Sequence, residues 1–269
     1  MEYVLGNDAP ELERLDRQAA SIERPTRTIL QAAGLQRGQR VLDLGTGLGH
    51  VARMAGELVG PEGAVVGLDA SGEALAVARD RAATAGEHHV SFLETDVRTW
   101  RAPEAFDAVT GRLILFHLPD PVAVVRHHSG NLRPDGVFVA VDFDLGGART
   151  EPAVPLAHEL LDWVTRAFSA AGATPRIGAR LVPILQQAGL QDVTTLGLQG
   201  YLQPGDPAAA RLLGGVVRSL SAAIIGHGIA TAEQLALDTL EARLADELRR
   251  ADAVLLPPTV VGAWGRAPR

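Results

Sequence analysis

The sequence predicts an α/β fold with a doubly wound, mostly parallel sheet. Short apolar runs typical of buried strands alternate with segments whose apolar residues recur at helical spacing, which is the pattern of repeated β-α units. Residues 41–49 combine such a run with an aspartate and three glycines at alternate positions, and helical spacing begins directly afterwards. Two further runs, 64–69 and 90–96, each end in an acid. These three features carry the prediction.

The turn at residues 45–49 is typical of a ligand-binding turn between a strand and a helix. Glycine suits positions where the backbone takes a positive φ or where a ligand approaches the main chain, and a side chain at Gly45, Gly47 or Gly49 would fill that space. The first N–H groups of the next helix would then face the ligand. A dinucleotide site needs the spacing G-x-G-x-x-G, but here the third glycine comes one residue early, with His50 after it. The spacing therefore counts against NAD.

Composition excludes several classes of chemistry. The chain has 269 residues and no cysteine, so it can hold no disulfide, thiolate metal site or cysteine nucleophile. All 25 basic residues are arginines, and the absence of lysine excludes a pyridoxal Schiff base and a Walker-type phosphate loop. The net charge is −7, and no basic run is longer than Arg249-Arg250. We therefore expect no nucleic-acid partner.

The first 34 residues precede the first strand and predict an N-terminal helical cap. One helix with an apolar face would break at Pro25, and a second short helix would run to Ala33. The cap would either pack on the sheet or cover the ligand, with Tyr3 or Arg14 touching it. The sequence shows neither a signal peptide nor a stretch suited to crossing a membrane, which favours a cytoplasmic protein without membrane insertion.

The run 64–69 predicts the second strand, and it ends at Asp69. A carboxylate at this position can accept hydrogen bonds from both vicinal hydroxyls of a ribose. The alternative is a turn residue at a strand end, but its place after the glycine turn favours the ribose role. Ser71 is a suitable N-cap for a helix through about Ala85, with Leu75 facing inward.

The run 90–96 predicts the third strand, again ending in an acid. Glycine turn, acid and acid, one β-α unit apart, resemble the class I S-adenosylmethionine (SAM)-dependent methyltransferases, in the ubiquinone/menaquinone-biosynthesis-like branch that acts on small molecules. The resemblance covers residues 35–145 and implies a Rossmann-like seven-stranded sheet with an antiparallel last strand. It also implies SAM as the cofactor, with Asp96 accepting from the adenine amino group and Val97 packing on the ring. The residues that it assigns to the cofactor are Asp43, Gly45, Thr46, Gly47, Gly49, Asp69, Ala70, Asp96, Val97 and Arg112.

Two later motifs agree with this resemblance. Residues 106–118 resemble the family's fourth strand and the histidine-bearing loop after it, and residues 131–136 resemble the turn into the fifth strand. Asp135 replaces a glycine of that turn, and aspartate can adopt the left-handed conformation required there. The chain lacks the (N/D)-P-P-(Y/F) tetrapeptide of DNA and protein amino-methyltransferases and has residues 111–114 in its place. Methylation of a macromolecular amino group is therefore disfavoured.

The remainder of the chain predicts helices near 153–172 and 176–188, a sixth strand near 192–201 and a seventh near 259–264. Between these strands, the insertion 204–251 predicts two helices that form either a lid over the substrate or a dimer surface, and we favour the lid. We expect one methyltransferase domain over 1–269. Its parts would be a cap at 1–34, a SAM-binding core at 35–145, helices at 146–190 and the insertion at 204–251.

For a hydroxyl acceptor, the protein must align the methyl group and remove a proton. His117 is the candidate general base, because its loop borders the methyl group in this family and a neutral imidazole suits proton transfer near pH 7. The alternative is a loop histidine that only packs. Other candidate bases are Asp142, Asp144, His158 and His227.

We expect no bound metal ion. We also expect the pairs His88-His89 and His127-His128 to lie on solvated surfaces.

These features predict a SAM-dependent methyltransferase of a small secondary-metabolite or quinone-like molecule, with oxygen as the first choice of acceptor atom. Carbon and nitrogen acceptors are alternatives. A SAM-binding enzyme with a pericyclic or decarboxylating reaction is a second class, because fold does not determine reaction. An NAD-linked oxidoreductase is a third. A homodimer is left open.

Overall fold

A computed structural model describes residue 16 and residues 19–269. Tyr3, Arg14 and most of the predicted first helix lie outside the described residues. Contacts divide the described chain into two compact units. We call residues 19–142, 177–197 and 260–269 the sheet unit, and residues 143–176 and 198–259 the helical unit. The expectation of a single domain stays a prediction.

The sheet unit contains the alternating strands and helices that the sequence predicts. Its first part consists of α1 (Glu23–Ala32), β1 (Arg40–Leu44), α2 (His50–Val59), β2 (Ala64–Asp69), α3 (Gly72–Thr84) and β3 (Val90–Glu94). Next come β4 (Phe106–Arg112), α4 (Pro121–Ser129), β5 (Leu132–Asp144), α6 (Leu181–Gln187), β7 (Gln191–Leu198) and β9 (Thr259–Arg266). Three of these strands, β5, β7 and β9, have an end in the helical unit.

The seven strands form one sheet in the order β3-β2-β1-β4-β5-β9-β7. The pairs among β1 to β5 are parallel, with Leu44 of β1 level with Leu68 of β2 and Gly111 of β4. The last strand is antiparallel to β5, since Ala267 beyond its end donates to Gly136 near the start of β5. The predicted doubly wound, mostly parallel sheet is confirmed. Its register brings the ends of β1, β2 and β4 to one edge.

Local sequence explains how the helices next to this edge begin. The side chain of Ser71 accepts from Ala74 N at 3.2 Å and caps α3, which ends one residue before the predicted Ala85. The predicted helix break at Pro25 is wrong, because Pro25 lies in the first turn of α1 and the turn between helices is at Ile22. Proline is tolerated in the first turn because the N–H that it lacks would have no partner there.

The helical unit contains α5 (Pro155–Ala170), α7 (Pro207–Ser219), α8 (Ser221–Gly226), α9 (Ala232–Leu235) and α10 (Leu237–Arg250), with a two-stranded ribbon of β6 (Arg149–Glu151) and β8 (Val254–Leu256). The predicted insertion therefore holds four helices instead of two. Apolar residues of α5, α7 and α10 form a core of their own, for example Leu160, Leu213 and Leu244. Helices that share a separate core gain their stability from that burial.

No helix in the described part of the chain is both long enough and apolar enough to cross a membrane. The cytoplasmic location stays a prediction.

Candidate functional site

The glycine turn connects β1 to α2 at the edge where the strand ends meet. Gly45, Gly47 and Gly49 have φ values of 63°, 51° and 79°, a region that residues with a side chain seldom adopt. Gly49 is also the N-cap residue of α2. The predicted requirement for glycine at all three positions therefore has a backbone cause.

The space around the three glycines differs, and this corrects part of the sequence interpretation. A methyl group added to Gly45 would lie 2.6 Å from Cδ1 of Ile114, and one added to Gly49 would lie 3.0 Å from Cβ of Ala78. At Gly47 an added methyl group would meet no atom within 4 Å among the described residues. Gly45 and Gly49 are therefore needed for packing within the fold, whereas Gly47 faces open space that a ligand can use.

Asp69 ties the glycine turn to the end of β2. Its Oδ2 accepts from Gly47 N at 2.8 Å, and its Oδ1 accepts from Ser71 N at 2.9 Å. Each carboxylate oxygen has a second lone pair, so both can still accept from a ligand hydroxyl. Asp69 lies where the sequence places it, and its two backbone bonds are a structural role that the sequence did not predict. Ala70 lies between Asp69 and the cap Ser71 and is exposed.

Asp43 is a buried carboxylate beneath the turn. Its Oδ1 accepts from Thr110 Oγ1 at 2.8 Å, whereas its Oδ2 has no partner of normal hydrogen-bond distance and angle among the described residues. The Thr46 hydroxyl is still near enough to lower the pKa of Asp43 and acts as a partial donor to this carboxylate. Burial raises the pKa of Asp43 to about 6, against the stabilising effect of the nearby Thr46 and Thr110 hydroxyls and of Arg112. A buried polar atom without a partner is costly and indicates a missing donor. An ammonium group at this position would supply it.

Arg112 places a half-buried guanidinium at the end of β4. Its Nη1 donates to Thr26 Oγ1 at 3.3 Å, and the Thr26 hydroxyl in turn donates to Ile22 O at 2.6 Å. Burial lowers the pKa of Arg112 to about 10, partly offset by Asp43, so the group is cationic at neutral pH. Asp43 and Arg112, on the paired strands β1 and β4, thus offer a negative and a positive group that interact electrostatically, as a zwitterionic ligand would need.

Asp96 and Val97 lie in the loop after β3, because the strand ends at Glu94 instead of the predicted Asp96. Asp96 binds the guanidinium of Arg98 through both carboxylate oxygens, at 2.6 to 3.0 Å, and these bonds lower its pKa to about 2. Val97 is buried, with 9% of its surface exposed. The charge of Asp96 is therefore already paired with Arg98. A hydrogen bond from an adenine amino group to Asp96 should consequently be weaker than the sequence suggests.

His117 ends a short 3₁₀ turn, Leu115–His117, after β4. Its ring meets the Phe116 ring edge to face at 5.0 Å, and burial lowers its pKa below the usual value. Asp142, fully buried on β5, accepts from Phe116 N at 3.3 Å and so holds this turn. The lowered pKa favours the neutral imidazole at pH 7, and the role of His117 as a general base stays a prediction.

The other candidate bases and the paired histidines lie in several different environments. Asp144 caps a turn by accepting from Gly146 N at 2.9 Å, and His158 and His227 are exposed in the helical unit. The predicted solvation of His127-His128 is wrong for His128, which has 0% exposure. The residues described in the structure contain no group of three or more His, Cys, Asp or Glu side chains suited to a metal ion.

Comparison with known proteins gives the family. A family model described as a methyltransferase domain matches residues 35–189, which is more than half of the chain. This chain belongs to that family. The match confirms the resemblance to class I SAM-dependent methyltransferases, which the sequence placed at residues 35–145.

Individual relatives match the methyltransferase core only in part. The demethylmenaquinone methyltransferase of Listeria monocytogenes is 34% identical over 109 residues, which are 40% of this chain and 46% of that protein. The ubiquinone/menaquinone biosynthesis C-methyltransferase UbiE of Pseudomonas fluorescens is 30% identical over 144 residues, with 53% and 54% covered. The chain spans about half the length of these relatives. The YcgJ protein of Bacillus subtilis has the same fold, with a TM-score of 0.62 at 19% identity and coverage of 92% and 99%.

The open space at Gly47 predicts that Gly47→Ala weakens the binding of SAM while the protein still folds. Both Gly47→Ala and the control Gly38→Ala, at φ 82° with no atom within 4 Å, force alanine into the left-handed region at a cost of about 1–2 kcal/mol. Only the methyl group at position 47 enters the ligand space, so SAM affinity should fall there by roughly 10–100-fold. Calorimetric titration and thermal unfolding measure the two effects. Wild-type affinity in folded Gly47→Ala would contradict the assignment.

The raised pKa of Asp43 predicts weaker SAM binding in acid. A ligand ammonium favours ionised Asp43, so affinity should be highest near pH 7, where both groups are charged, and fall up to about tenfold per pH unit below pH 6. Asp43→Asn should bind SAM weakly and without this pH dependence. The control Asp80→Asn, at an exposed position of α3, should titrate like the wild type.

Asp43→Asn should also stabilise the cofactor-free protein. The folded pKa of about 6 lies above the ordinary 3.8, so the folded state holds the proton more tightly and stability falls as pH rises from about 4 to 6. Removing the charge should therefore raise the free energy of unfolding by about 1–3 kcal/mol at pH 7 to 8, where the loss is complete. Urea unfolding at pH 4 and pH 8 tests this. A variant less stable than the wild type at pH 8 would refute the cost assigned to the buried charge.

Proposed function

We propose that this methyltransferase-family protein transfers the methyl group of SAM to a hydroxyl oxygen of a small organic molecule. The observation that carries the choice of SAM is the incomplete hydrogen bonding of the buried carboxylate Asp43 at its Oδ2, beneath the glycine turn that is open at Gly47. Among the described residues, this buried carboxylate oxygen is short of donors, and a cationic or donating ligand would satisfy it. The α-amino group of SAM has that chemistry.

The residues at the sheet edge fit the rest of SAM by charge and hydrogen-bonding type. Arg112 suits the α-carboxylate, because a guanidinium binds a carboxylate with two parallel bonds. Asp69 suits the ribose hydroxyls through its free lone pairs, and Gly47 keeps the main chain accessible. Asp96 and Val97 are the proposed adenine contacts. Gly45, Gly49 and Ala70 support the turn and its connection to β2.

SAM supplies a methyl group on a sulfonium, which is an activated and cationic leaving group. The chain's own contribution is to align the acceptor and to take its proton. We assign proton removal to His117, because its lowered pKa favours the neutral imidazole and its turn begins at Leu115, three residues after Arg112 at the end of β4. Phe116 packs edge to face against the imidazole and restricts its orientation.

A ring carbon of a hydroxylated aromatic molecule is the second candidate acceptor. The Listeria and Pseudomonas relatives are named as a demethylmenaquinone methyltransferase and a C-methyltransferase. Removal of a hydroxyl proton enriches the adjacent ring carbons in electrons, so His117 would take the hydroxyl proton for either acceptor. With carbon as the acceptor, the methylated ring carbon then loses its own proton and the oxygen regains one. The partial coverage of these relatives leaves the acceptor atom to experiment.

The decisive experiment combines SAM carrying a ¹³C-methyl group with a panel of phenols, quinols and aliphatic alcohols. Release of S-adenosylhomocysteine with the label in a methoxy group would support oxygen transfer, and a label on a ring carbon would support the second candidate. Carbon and oxygen bonds are distinguished by the ¹³C chemical shift. A converted acceptor without label or S-adenosylhomocysteine would refute methyl transfer and favour a non-methylating reaction of the same fold.

Substitution of His117 predicts a loss of rate without a loss of cofactor. His117→Ala and His117→Gln should lower turnover by roughly 10²–10⁴-fold, while SAM affinity stays within a few-fold. Because burial lowers the pKa of His117, the wild-type rate at saturating SAM should rise with pH through a value below about 6.5 and then level off. Steady-state rates between pH 4.5 and 8.5 measure this. A nearly normal rate with a flat pH profile in both variants would reject the histidine role and leave methyl transfer intact.

A small-molecule substrate agrees with the family, whereas the homodimer, the absence of a nucleic-acid partner and the cytoplasmic location stay predictions. Light scattering and size-exclusion chromatography would decide the oligomeric state.

A further inference from the structure

The loop after β3, residues 95–102, has few main-chain bonds of its own. Thr95 N donates to Asp69 O at 2.8 Å, and Thr99 N and Trp100 N both donate to Asp96 O at 3.1 Å. These bonds form one tight turn and connect its start to β2. They do not attach the rest of the loop to the sheet unit. Its remaining anchors are side chains from another element.

Three side chains, two in the last turn of α4 and one just after it, hold this loop at three backbone atoms. The distance from His128 Nε2 to Val97 O is 2.6 Å, and that from His127 Nε2 to Trp100 O is 2.8 Å. Asn131 Oδ1 accepts from Ala102 N at 3.2 Å. We call His127, His128 and Asn131 the α4 clasp. The clasp fixes the carbonyls of Val97 and Trp100 and the amide of Ala102, which lie within six residues of one another.

The bonding pattern determines the tautomer of His128. Asn131 Oδ1 accepts from a backbone N–H, so its Nδ2 is the atom that lies 2.9 Å from His128 Nδ1. An amide nitrogen only donates, so Nδ1 accepts and the proton is on Nε2, which donates to Val97 O. Burial lowers the pKa of His128 to about 4, so this neutral form persists at physiological pH.

We propose that His128, supported by His127 and Asn131, is a positioning residue that sets recognition of the adenine base by holding the main chain at Asp96 and Val97. This inference rests on the proposed SAM-dependent function. His128 is fully buried and acts through Val97 O, so it does not need to touch the cofactor. Asp96 is held on its other side by Arg98, so both flanks of the adenine-side peptide are fixed in advance. Such preorganisation lowers the entropy lost on binding.

The test compares binding of S-adenosylhomocysteine with binding of S-inosylhomocysteine, in which an oxygen replaces the adenine amino group. His128→Leu should weaken binding of the adenine compound by roughly 10–100-fold, as expected when a buried acceptor loses its donor. It should also reduce the preference for adenine over hypoxanthine to near one. His128→Gln can still donate to Val97 O and should restore both quantities to within about threefold.

Turnover provides a second measurement. In His128→Leu the KM for SAM should rise in proportion to the affinity loss, while kcat at saturating SAM stays within about threefold, because the acceptor side is untouched. His127→Ala removes only the bond to Trp100 O and should show a smaller loss in the same direction. His88→Ala is the matched control, since His88 is exposed and should change neither quantity.

Each outcome decides between the alternatives. Wild-type affinity and adenine preference in both His128→Leu and His127→Ala would overturn the proposal. Equal losses for both nucleosides with no restoration in His128→Gln would also overturn it and indicate a purely structural histidine. If His128→Leu does not fold, His128→Gln and His127→Ala decide. A wild-type protein that binds neither compound would instead refute the proposed function itself.

Discussion

The interaction on which the site depends is the pair of backbone hydrogen bonds accepted by Asp69. One carboxylate oxygen holds the glycine turn through Gly47 and the other holds the start of α3 through Ser71. The turn has three residues at positive φ, and the Asp69 bond supports it together with the bond from Thr46 N to Leu68 O and the packing of Ile114 at Gly45. A single residue at the end of β2 therefore connects three elements, and a ligand hydroxyl that reaches Asp69 also meets an ordered turn.

Around this anchor the structure carries an electrostatic cost. Asp43 is fully buried with one oxygen lacking a partner among the described residues, and Asp69 nearby further disfavours its charge. Arg112 is also partly stripped of water and is positioned by Thr26 of α1. Sites that bind charged ligands often keep such groups ready, because reorganisation during binding would cost more. A bound zwitterionic ligand would offset this electrostatic cost.

The sequence predicted the parts of this protein that follow local rules. Periodicity located β1 and β2, the cap Ser71 marked the start of α3, and Asp135 takes the positive φ of 62° expected from its glycine-like position. Contacts between distant segments escaped prediction. Histidine is a polar residue type that is often found at the surface, and only the fold shows that His128 contacts Val97, which is 31 positions away. The four helices of the insertion were missed because the short helices α8 and α9 have too few turns for a periodic signal.

The contact between Ile114 and Gly45 has a consequence for how this protein can change. Leu113 takes a positive φ of 55°, and the next side chain, Ile114, packs against both Gly45 and Gly111. Residue 114 belongs to the segment that leads to His117, whereas Gly45 belongs to the turn at the end of β1. A larger side chain at 114 would displace the glycine turn, and a smaller one would leave a void beneath it. Changes in this segment that alter the acceptor preference are therefore constrained at position 114. A substitution there can persist only together with a compensating change around Gly45 or Gly111.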